Sequence, residues 1–168
     1  SQINQDVEEQ IIKELEIAAE TANGIVISDF VYGVITNKIL VKVHELARKY
    51  NLYLFGDLQC SSQVGSIMKF KKFSLLCPNE KEARIALHEK DLDLETLSLQ
   101  VIKRTNSNKL LMKLGSDGFI AYENIDGKII SQAFPALSVN PLDVTGAGDS
   151  LLAVMSVGIS SSQKMMES

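Results

Sequence analysis

The chain has 168 residues, of which 45% are hydrophobic and 23% are charged, and its formal net charge is −4 at pH 7. This balance predicts one globular domain with a core of its own and excludes a disordered chain. The acidic net charge and the scattered basic residues argue against a nucleic-acid-binding surface, and the longest apolar run, Leu151 to Ile159, is too short to span a bilayer. Two cysteines without zinc-type spacing or a signal-peptide pattern predict free thiols in a cytoplasmic protein.

Amphipathic helical patterns alternate along the chain with short apolar runs that are typical of buried strands. Thr36 is predicted to cap one helix, and Pro78-Asn79 is predicted to start another. In chain order the predicted elements are the helix 6–20, the strand 24–28, the helix 37–50, the strand 52–57, the strand 73–77, the helix 80–87, the helix 94–103, the strand 109–115, the hairpin strands 119–124 and 128–134, and an apolar helix that begins near residue 147.

The order of these elements predicts the fold class. Strands that alternate with helices indicate an α/β protein with a mainly parallel sheet, and the Asp126-Gly127 turn indicates an antiparallel hairpin near one edge. Ligands of open parallel sheets bind beyond the carboxyl ends of the strands. Asp29, Asp57, Asn79 and Gly115 all follow predicted strands. We therefore expect them on one rim of the sheet, together with the start of the last helix.

The start of that last helix has an unusual composition, because Asp143–Ser150 reads DVTGAGDS. Glycine weakens a helix interior and a carboxylate is costly to bury, so both need a reason at the entry to an apolar helix. A helix that begins near Ala147 leaves the N–H groups of residues 146–149 without intrahelical partners, and these groups form an anion site. Asp149 beside this site is placed to accept the proton of an attacking hydroxyl. An ordinary helix cap explains the same letters and stays open on this segment alone.

Other catalytic motifs fit this segment less well. The sequence contains no GxxxxGK[ST], so it has no P-loop, and Leu151 takes the third glycine position of GxGxxG, which excludes the dinucleotide fingerprint. The letters GDSL suggest an esterase with Ser150 as nucleophile, which requires a histidine base. The two histidines, His44 and His88, lie in predicted helices far upstream. Phosphate handling is therefore preferred to ester hydrolysis.

Three motifs in order carry a resemblance to a known family. PNEKEA, KLGSDG and DVTGAGD, together with SDFVYGVIT, resemble segments of the ribokinase-like (PfkB) carbohydrate kinases, from about Gly24 to Gly158. The resemblance implies a three-layer α/β/α sheet of ribokinase-like type, of which residues 1–168 would be the nucleotide and anion-hole part. DVTGAGD followed by SLLAVM looks most like the heptose kinase domain of ADP-heptose synthesis, and other sugar kinases stay open.

The resemblance also implies a role for each matching residue. Asp149 would be the catalytic base, and the turn before it would be the anion hole for the transferred phosphoryl group. ATP and Mg²⁺ would be the cofactors, with K⁺ in some members, and the substrate would be a sugar or sugar phosphate. The matching positions are Gly146, Ala147 and Gly148 for the anion hole, Lys113, Gly115, Ser116, Gly118 and Thr145 for the nucleotide, Asn79 and Glu82 for Mg²⁺ through water, and Asp143 for a monovalent cation.

Some positions depart from the family pattern. Tyr32 stands where the SDYxKG pattern has lysine, and Leu58-Gln59 follows Asp57 in place of Pro-Lys or Pro-Asn. The family's N-terminal part, with its lid and most sugar contacts, has no counterpart in these letters, so we expect this chain alone to be inactive. A non-catalytic module of the same fold, which at most binds nucleotide, is the alternative hypothesis. The family also leaves room for a homodimer.

Overall fold

The computed structural model describes residues 2–59, 66–136 and 147–161. In these ranges the order of the main elements is helix, strand, helix, strand, strand, helix, helix and strand, and a β-hairpin and a last helix follow. The helices are α1 (Gln5–Ala19), α2 (Asn37–Tyr50), α3 (Glu80–Leu87), α4 (Leu94–Thr105) and α5 (Ala147–Ser160). The strands are β1 (Gly24–Asp29), β2 (Tyr53–Leu58), β3 (Leu75–Leu76), β4 (Lys109–Lys113), β5 (Phe119–Ile125) and β6 (Lys128–Phe134).

The six strands form one sheet in the order β1-β2-β3-β4-β5-β6. The first four strands are parallel, and β5 and β6 continue the sheet in antiparallel pairing. The β1–β2 register pairs Ser28 with Asp57 and Asp29 with Leu58, so the carboxyl ends of these two strands are level. The predicted mainly parallel α/β sheet with an antiparallel hairpin near one edge is confirmed.

Two apolar clusters lie on opposite faces of this sheet, because successive strand residues point to opposite sides. The larger cluster contains Leu54 and Leu110 from the strands, together with core residues of α2, α3 and α4 and the packed face of α1. The smaller cluster contains Phe55 and Leu111 from the same strands, together with Leu152 of α5. The described helices therefore enclose the sheet in three layers, with α5 alone on its face.

Side-chain caps define where several helices begin. Thr36 Oγ1 accepts a hydrogen bond from the Ile39 N–H at the start of α2, and Asp93 caps α4 in the same way through Thr96 N–H. Asn79 and Glu82 form a capping box at the start of α3. Such caps satisfy backbone donors that no helical carbonyl can reach, which fixes the first turn.

The observed bounds match the prediction closely for most elements and differ at three, of which one is β4, which ends at Lys113 where the prediction ended at residue 115. The predicted helices 37–50 and 80–87 have the observed limits. β3 is limited to Leu75–Leu76, shorter than the predicted 73–77, although Ser74 and Cys77 still donate backbone hydrogen bonds to β2. α4 continues two residues beyond the predicted end, to Thr105. Among the described residues, no helix is both long enough and apolar enough to cross a bilayer.

Candidate functional site

Four polar side chains lie on one face of the sheet, at the carboxyl ends of three strands. Asp57 and Gln59 follow Phe55 at intervals of two, and Lys113 follows Leu111 at the same interval. Phe55 and Leu111 pack against α5. Strand alternation therefore directs Asp57, Gln59 and Lys113 to the α5 side of the sheet. The fourth polar residue is Ser28 on β1, whose side chain contacts Asp149 of α5.

The first turn of α5 contacts this polar group through Asp149. The Asp149 Oδ1 atom accepts a hydrogen bond from Gln59 Nε2 at 2.9 Å and a second from Ser28 Oγ at 3.2 Å. Asp149 is half-buried, and it lies in the first turn, where the helix dipole favours an acid. The two contacts join α5 to the ends of both β1 and β2.

Asp57 and Lys113 form a buried ion pair under the same turn. Lys113 Nζ lies 2.8 Å from each carboxylate oxygen of Asp57, whose side chain is fully buried, while 17% of the Lys113 side chain is exposed. Burial raises the pKa of the Asp57 carboxyl above its usual value, whereas the charge and hydrogen bond of Lys113 act in the opposite direction. The negative charge of Asp149 raises this pKa further. The two carboxylates are therefore close enough to interact electrostatically.

Gly148 lies directly beside the ammonium group. A Cβ atom on Gly148 would lie 3.3 Å from Lys113 Nζ and 3.8 Å from Asp57 Oδ2. Because glycine has no side chain, the backbone at the start of α5 and the Lys113 cation can approach each other closely. The cation, the helix start and Asp149 thus share one site, which combines an attraction for anions with a proton acceptor.

The start of α3 lies beside the end of β4, the strand that carries Lys113. Lys113 N–H donates to Pro78 O at 2.9 Å, and Asn79 pairs with Lys113 as an isolated parallel bridge. Asn79 Oδ1 accepts from Glu82 N–H and Glu82 Oε2 accepts from Asn79 N–H, both at 2.8 Å. Glu82 is 4% exposed. The capping box therefore places an amide and a carboxylate beside the end of β4.

The loop after β4 makes a tight turn. Residues Gly115–Asp117 form a 3₁₀ turn, and Gly115 and Gly118 have φ values of +63° and +92°. These left-handed values favour glycine. A cleft of about 500 Å³ lies between this loop and α3, and its wall includes Asn79, Arg84 and Lys113. Ser116 lies in the exposed part of the turn.

Asp29, Asp57, Asn79 and Gly115 lie at or just after the carboxyl ends of the parallel strands, as the sequence predicted, and part of the predicted site lies outside the described residues. Asp57, Asn79, Lys113, Gly148 and Asp149 come together as described above. The predicted positions Asp143, Thr145 and Gly146, and the side chain of Ala147, lie outside the described residues. In the parts of the chain that the structure describes, no three His, Cys, Asp or Glu side chains form a metal-binding group.

Sequence reasoning missed two partners of Asp149, Ser28 and Gln59. Both are distant in sequence from Asp149, by 121 and 90 residues. The strand period of two, applied from Phe55 through Asp57 to Gln59, would have placed Gln59 on the same face as Asp57. Sequence reasoning also missed the ion pair between Lys69 and the buried Asp29 at the end of β1.

The esterase reading of GDSL gains no support from the position of the histidines. His44 stacks edge-on against Phe73, which belongs to the cluster on the opposite face of the sheet from α5. Burial and the nearby Arg48 and Lys72 lower the pKa of His44. His88 ends α3 in a left-handed conformation and follows Leu87, which belongs to that cluster. Neither imidazole shares the α5 face with Ser150.

The fold and site define a three-layer α/β protein with an acid, a cation and a glycine at the start of one helix, above the carboxyl ends of parallel strands. Residues 2–168 match the model of the pfkB family carbohydrate kinases. The chain belongs to this family, as the ordered motifs indicated.

Relatives of known name match most of the chain. The bifunctional protein HldE of Campylobacter jejuni strain RM1221 is 30% identical over 151 residues, which cover 89% of this chain and 31% of that protein. The bifunctional protein HldE of Geotalea uraniireducens is 27% identical over 161 residues, or 94% of this chain and 31% of that protein. The chain thus spans about a third of the length of these relatives.

Solved structures of the same fold cover nearly the whole chain. Phosphofructokinase-2 from Escherichia coli in complex with potassium matches with a TM-score of 0.76 and 16% identity, over 98% of this chain and 52% of that chain. Arabidopsis thaliana ribokinase complexed with ribose and ATP matches with a TM-score of 0.67 and 23% identity, over 99% and 49%. At this level of identity the likeness concerns the fold, which is ribokinase-like, and the chain spans about half of each neighbour.

Proposed function

We propose that this chain forms part of the active site of an ATP-dependent kinase that phosphorylates a hydroxyl group of a sugar or sugar phosphate. The observation that carries the proposal is the position of Asp149. Its carboxylate is half-buried, oriented by two hydrogen bonds, and placed in the first turn of α5 beside the Lys113 cation. A carboxylate this close to an anion site would repel a phosphate unless it also accepted a proton.

In the proposed reaction Asp149 acts as general base. The sugar hydroxyl oxygen attacks the γ-phosphorus of ATP, its proton passes to Asp149, and a new O–P bond forms. The bond between the γ-phosphorus and the β–γ bridging oxygen breaks, and ADP leaves with that electron pair. Because the transition state is loose, positioning and charge stabilisation contribute most of the rate, and Asp149 supplies only the final acceptor.

The start of α5 supplies the proposed anion hole. The first N–H groups of a helix have no intrahelical partner, and they point along the axis with the positive end of the dipole. Gly146, Ala147 and Gly148 would present these groups to the transferred phosphoryl oxygens. Lys113, which is paired with Asp57, lies next to Gly148 at the same place.

The nucleotide and metal positions form the second part of the proposal. The capping box engages an oxygen of Asn79 and one of Glu82 with backbone N–H groups, so these side chains fit Mg²⁺ held through water better than direct ligation. Mg²⁺, when bound with ATP, would offset the charge of its phosphates. The remaining proposed positions are Lys113, Gly115, Ser116, Gly118 and Thr145 for the nucleotide and Asp143 for K⁺.

The cellular location, the assembly and the substrate are proposed from the family. A cytoplasmic location fits an ATP-dependent sugar kinase. A homodimer is proposed as the assembly, and phosphofructokinase-2 from E. coli, one of the neighbours in fold, has a tetrameric inhibited form. Candidate substrates are ribose and fructose 6-phosphate, which are bound in neighbouring structures, and heptose phosphates, which the sequence resemblance suggests.

The test is Asp149→Asn in the natural full-length protein. ADP formation from Mg-ATP is measured with ribose, fructose 6-phosphate and a heptose phosphate as acceptors. We expect turnover to fall by at least about a hundredfold, the lower end of general-base effects. Asp126→Asn, the same change in an exposed hairpin turn, is the matched control and should retain wild-type turnover. Near-normal phosphorylation by the Asp149→Asn variant would falsify the proposed role of this residue.

The alternative of a non-catalytic nucleotide-binding module is an outcome of the same work. Titration calorimetry of Mg-ATP into the chain measures binding independently of turnover. Binding without turnover of any of the three sugars, together with equal affinity of wild type and Asp149→Asn, would favour the module over the kinase.

A further inference from the structure

Gln59 has no assigned role, and its side chain contacts the proposed base. It lies immediately after β2, where its half-buried amide donates from Nε2 to Asp149 Oδ1 at 2.9 Å. Ser28 Oγ donates to the same oxygen at 3.2 Å. An ionised carboxylate only accepts hydrogen bonds, so Gln59 must present its NH₂ group, and the orientation of its amide is fixed.

The backbone of Gln59 is held firmly at the end of the sheet. Its N–H donates to Asp29 O at 2.9 Å, which extends the β1–β2 pairing beyond Leu58. Asp29 is itself fixed, because its buried carboxylate accepts from Val31 N–H and pairs with the Lys69 ammonium. The Gln59 amide that donates to Asp149 therefore extends from a backbone that the sheet holds in place, as accurate positioning requires.

We infer that Gln59 is a positioning residue for the base, with Ser28 as a weaker second donor, and that Asp149 Oδ2 is the atom that receives the proton. This inference rests on the proposed function. Two donors on Oδ1 restrict rotation of the carboxylate and engage the lone pairs of that oxygen. The hydroxyl O–H bond then breaks toward Oδ2, while Gln59 neither gains nor loses a proton.

Three substitutions at Gln59 separate its donor from its size. Gln59→Met keeps an unbranched side chain of similar length and removes the donor. Gln59→Glu keeps the shape and places an acceptor and a negative charge against Asp149. Gln59→Lys keeps a donor that can reach the same oxygen but adds a cation beside the base, so it serves the rotamer measurement and not the kinetic one. A positioning role therefore predicts that kcat decreases in the order wild type, Met, Glu.

The kinetic test uses the natural full-length protein with the three sugars and Mg-ATP. We expect kcat of Gln59→Met to fall at least about tenfold, the effect of losing one hydrogen bond to a charged group, with KM for ATP unchanged. Gln132→Met, at an exposed position of β6, is the control and should behave as wild type. A Met variant with wild-type kcat would overturn the inference.

A second measurement does not depend on turnover. Side-chain coupling constants measured by NMR report whether Asp149 occupies one χ1 rotamer or several. We expect a single rotamer in wild type and Gln59→Lys and averaging in Gln59→Met, with unchanged backbone shifts in the sheet. A single Asp149 rotamer in the Met variant overturns the inference even if no sugar is phosphorylated.

The two proposals fail in distinguishable ways. If Asp149→Asn abolishes turnover and Gln59→Met does not affect it, the base assignment stands and the positioning role of Gln59 is wrong. If Asp149→Asn leaves turnover intact, the proposed function fails. The rotamer measurement then decides alone whether Gln59 orients Asp149.

Discussion

Removing the cation of the Asp57–Lys113 pair should destabilise the fold in a pH-dependent way. Lys113→Met keeps the length and apolar stem of the side chain and leaves the Asp57 carboxylate fully buried without its two 2.8 Å contacts. Breaking a buried pair by removing one partner costs about 3–5 kcal/mol, because an uncompensated charge remains in the interior. For a chain of this size that loss lowers the melting temperature by roughly 6–20 °C.

The pH dependence follows from the direction of the Asp57 pKa. Burial already raises this pKa above its ordinary value of 3.8, and Lys113 is the main group that opposes the rise. Lys113→Met removes that opposition and raises the pKa further. A folded-state pKa above the unfolded one means that the folded state binds the proton more tightly, so stability falls as pH rises through this window. The variant should therefore approach wild-type stability near pH 4 and show its full loss near pH 7.

Urea unfolding of wild type and variant between pH 4 and pH 7 measures both the size and the direction of the effect. Asp57→Asn combined with Lys113→Met removes both charges and should recover most of the loss, since neutral replacement of a buried pair is often tolerated. Lys42→Met is the matched control, because Lys42 pairs with the half-exposed Glu16 and Glu45, and its loss should leave stability close to that of wild type at both pH values. A Lys113→Met loss that is the same at both pH values would refute the reasoning.

Two glycine substitutions test the close approaches in the site and in the loop after β4. Gly148→Ala should weaken Mg-ATP binding in calorimetry, because its Cβ would lie 3.3 Å from Lys113 Nζ and crowd an ammonium group that is held by its pair with Asp57. Unchanged affinity would contradict the proposed approach of phosphate. Gly118→Ala should cost about 2–5 kcal/mol in urea unfolding, because its Cβ would lie 2.0 Å from Phe134 O at a φ of +92°. Gly127→Ala, at a φ of +83° with open space around it, should lose only about 1–2 kcal/mol from strain, and equal losses at the two sites would show that the contact with Phe134 is unimportant.

The elements that the sequence predicted best are those with strong local signals. The limits of α2 and α3 were predicted correctly because Thr36 and Asn79 are side-chain caps, which depend on only the next three residues. β3 was predicted too long because only two residues have ladder partners, even though Ser74 and Cys77 remain hydrogen-bonded to β2. Local pattern indicates that a strand exists, whereas its length is set by pairing with distant neighbours.

The location of the candidate site could be predicted from the sequence, whereas its side-chain contacts could not. The rule that ligands lie beyond the carboxyl ends of parallel strands brought Asp57, Asn79 and the start of α5 to one rim. The pairing of Asp57 with Lys113 joins residues 56 positions apart, and no local pattern specifies it. Gln59 looked like a departure from the family motif, yet its amide contacts Asp149. Side-chain partners across a sheet depend on strand order, which the sequence does not state directly.

Asp57 and Asp149 differ in their surroundings for a physical reason that does not depend on any motif. A positive charge near a helix N-terminus is unfavourable, so Lys113 beside Gly148 needs a compensating anion, and the fully buried Asp57 supplies it with both oxygens. Both oxygens of the Asp57 carboxylate are therefore engaged by the Lys113 ammonium group. Asp149 is half-buried, favourably placed for the dipole, and bound by neutral donors only among its described contacts. Of these two acids, Asp149 alone is partly exposed and has no cation among its described contacts, which supports its proposed role as the base in phosphoryl transfer.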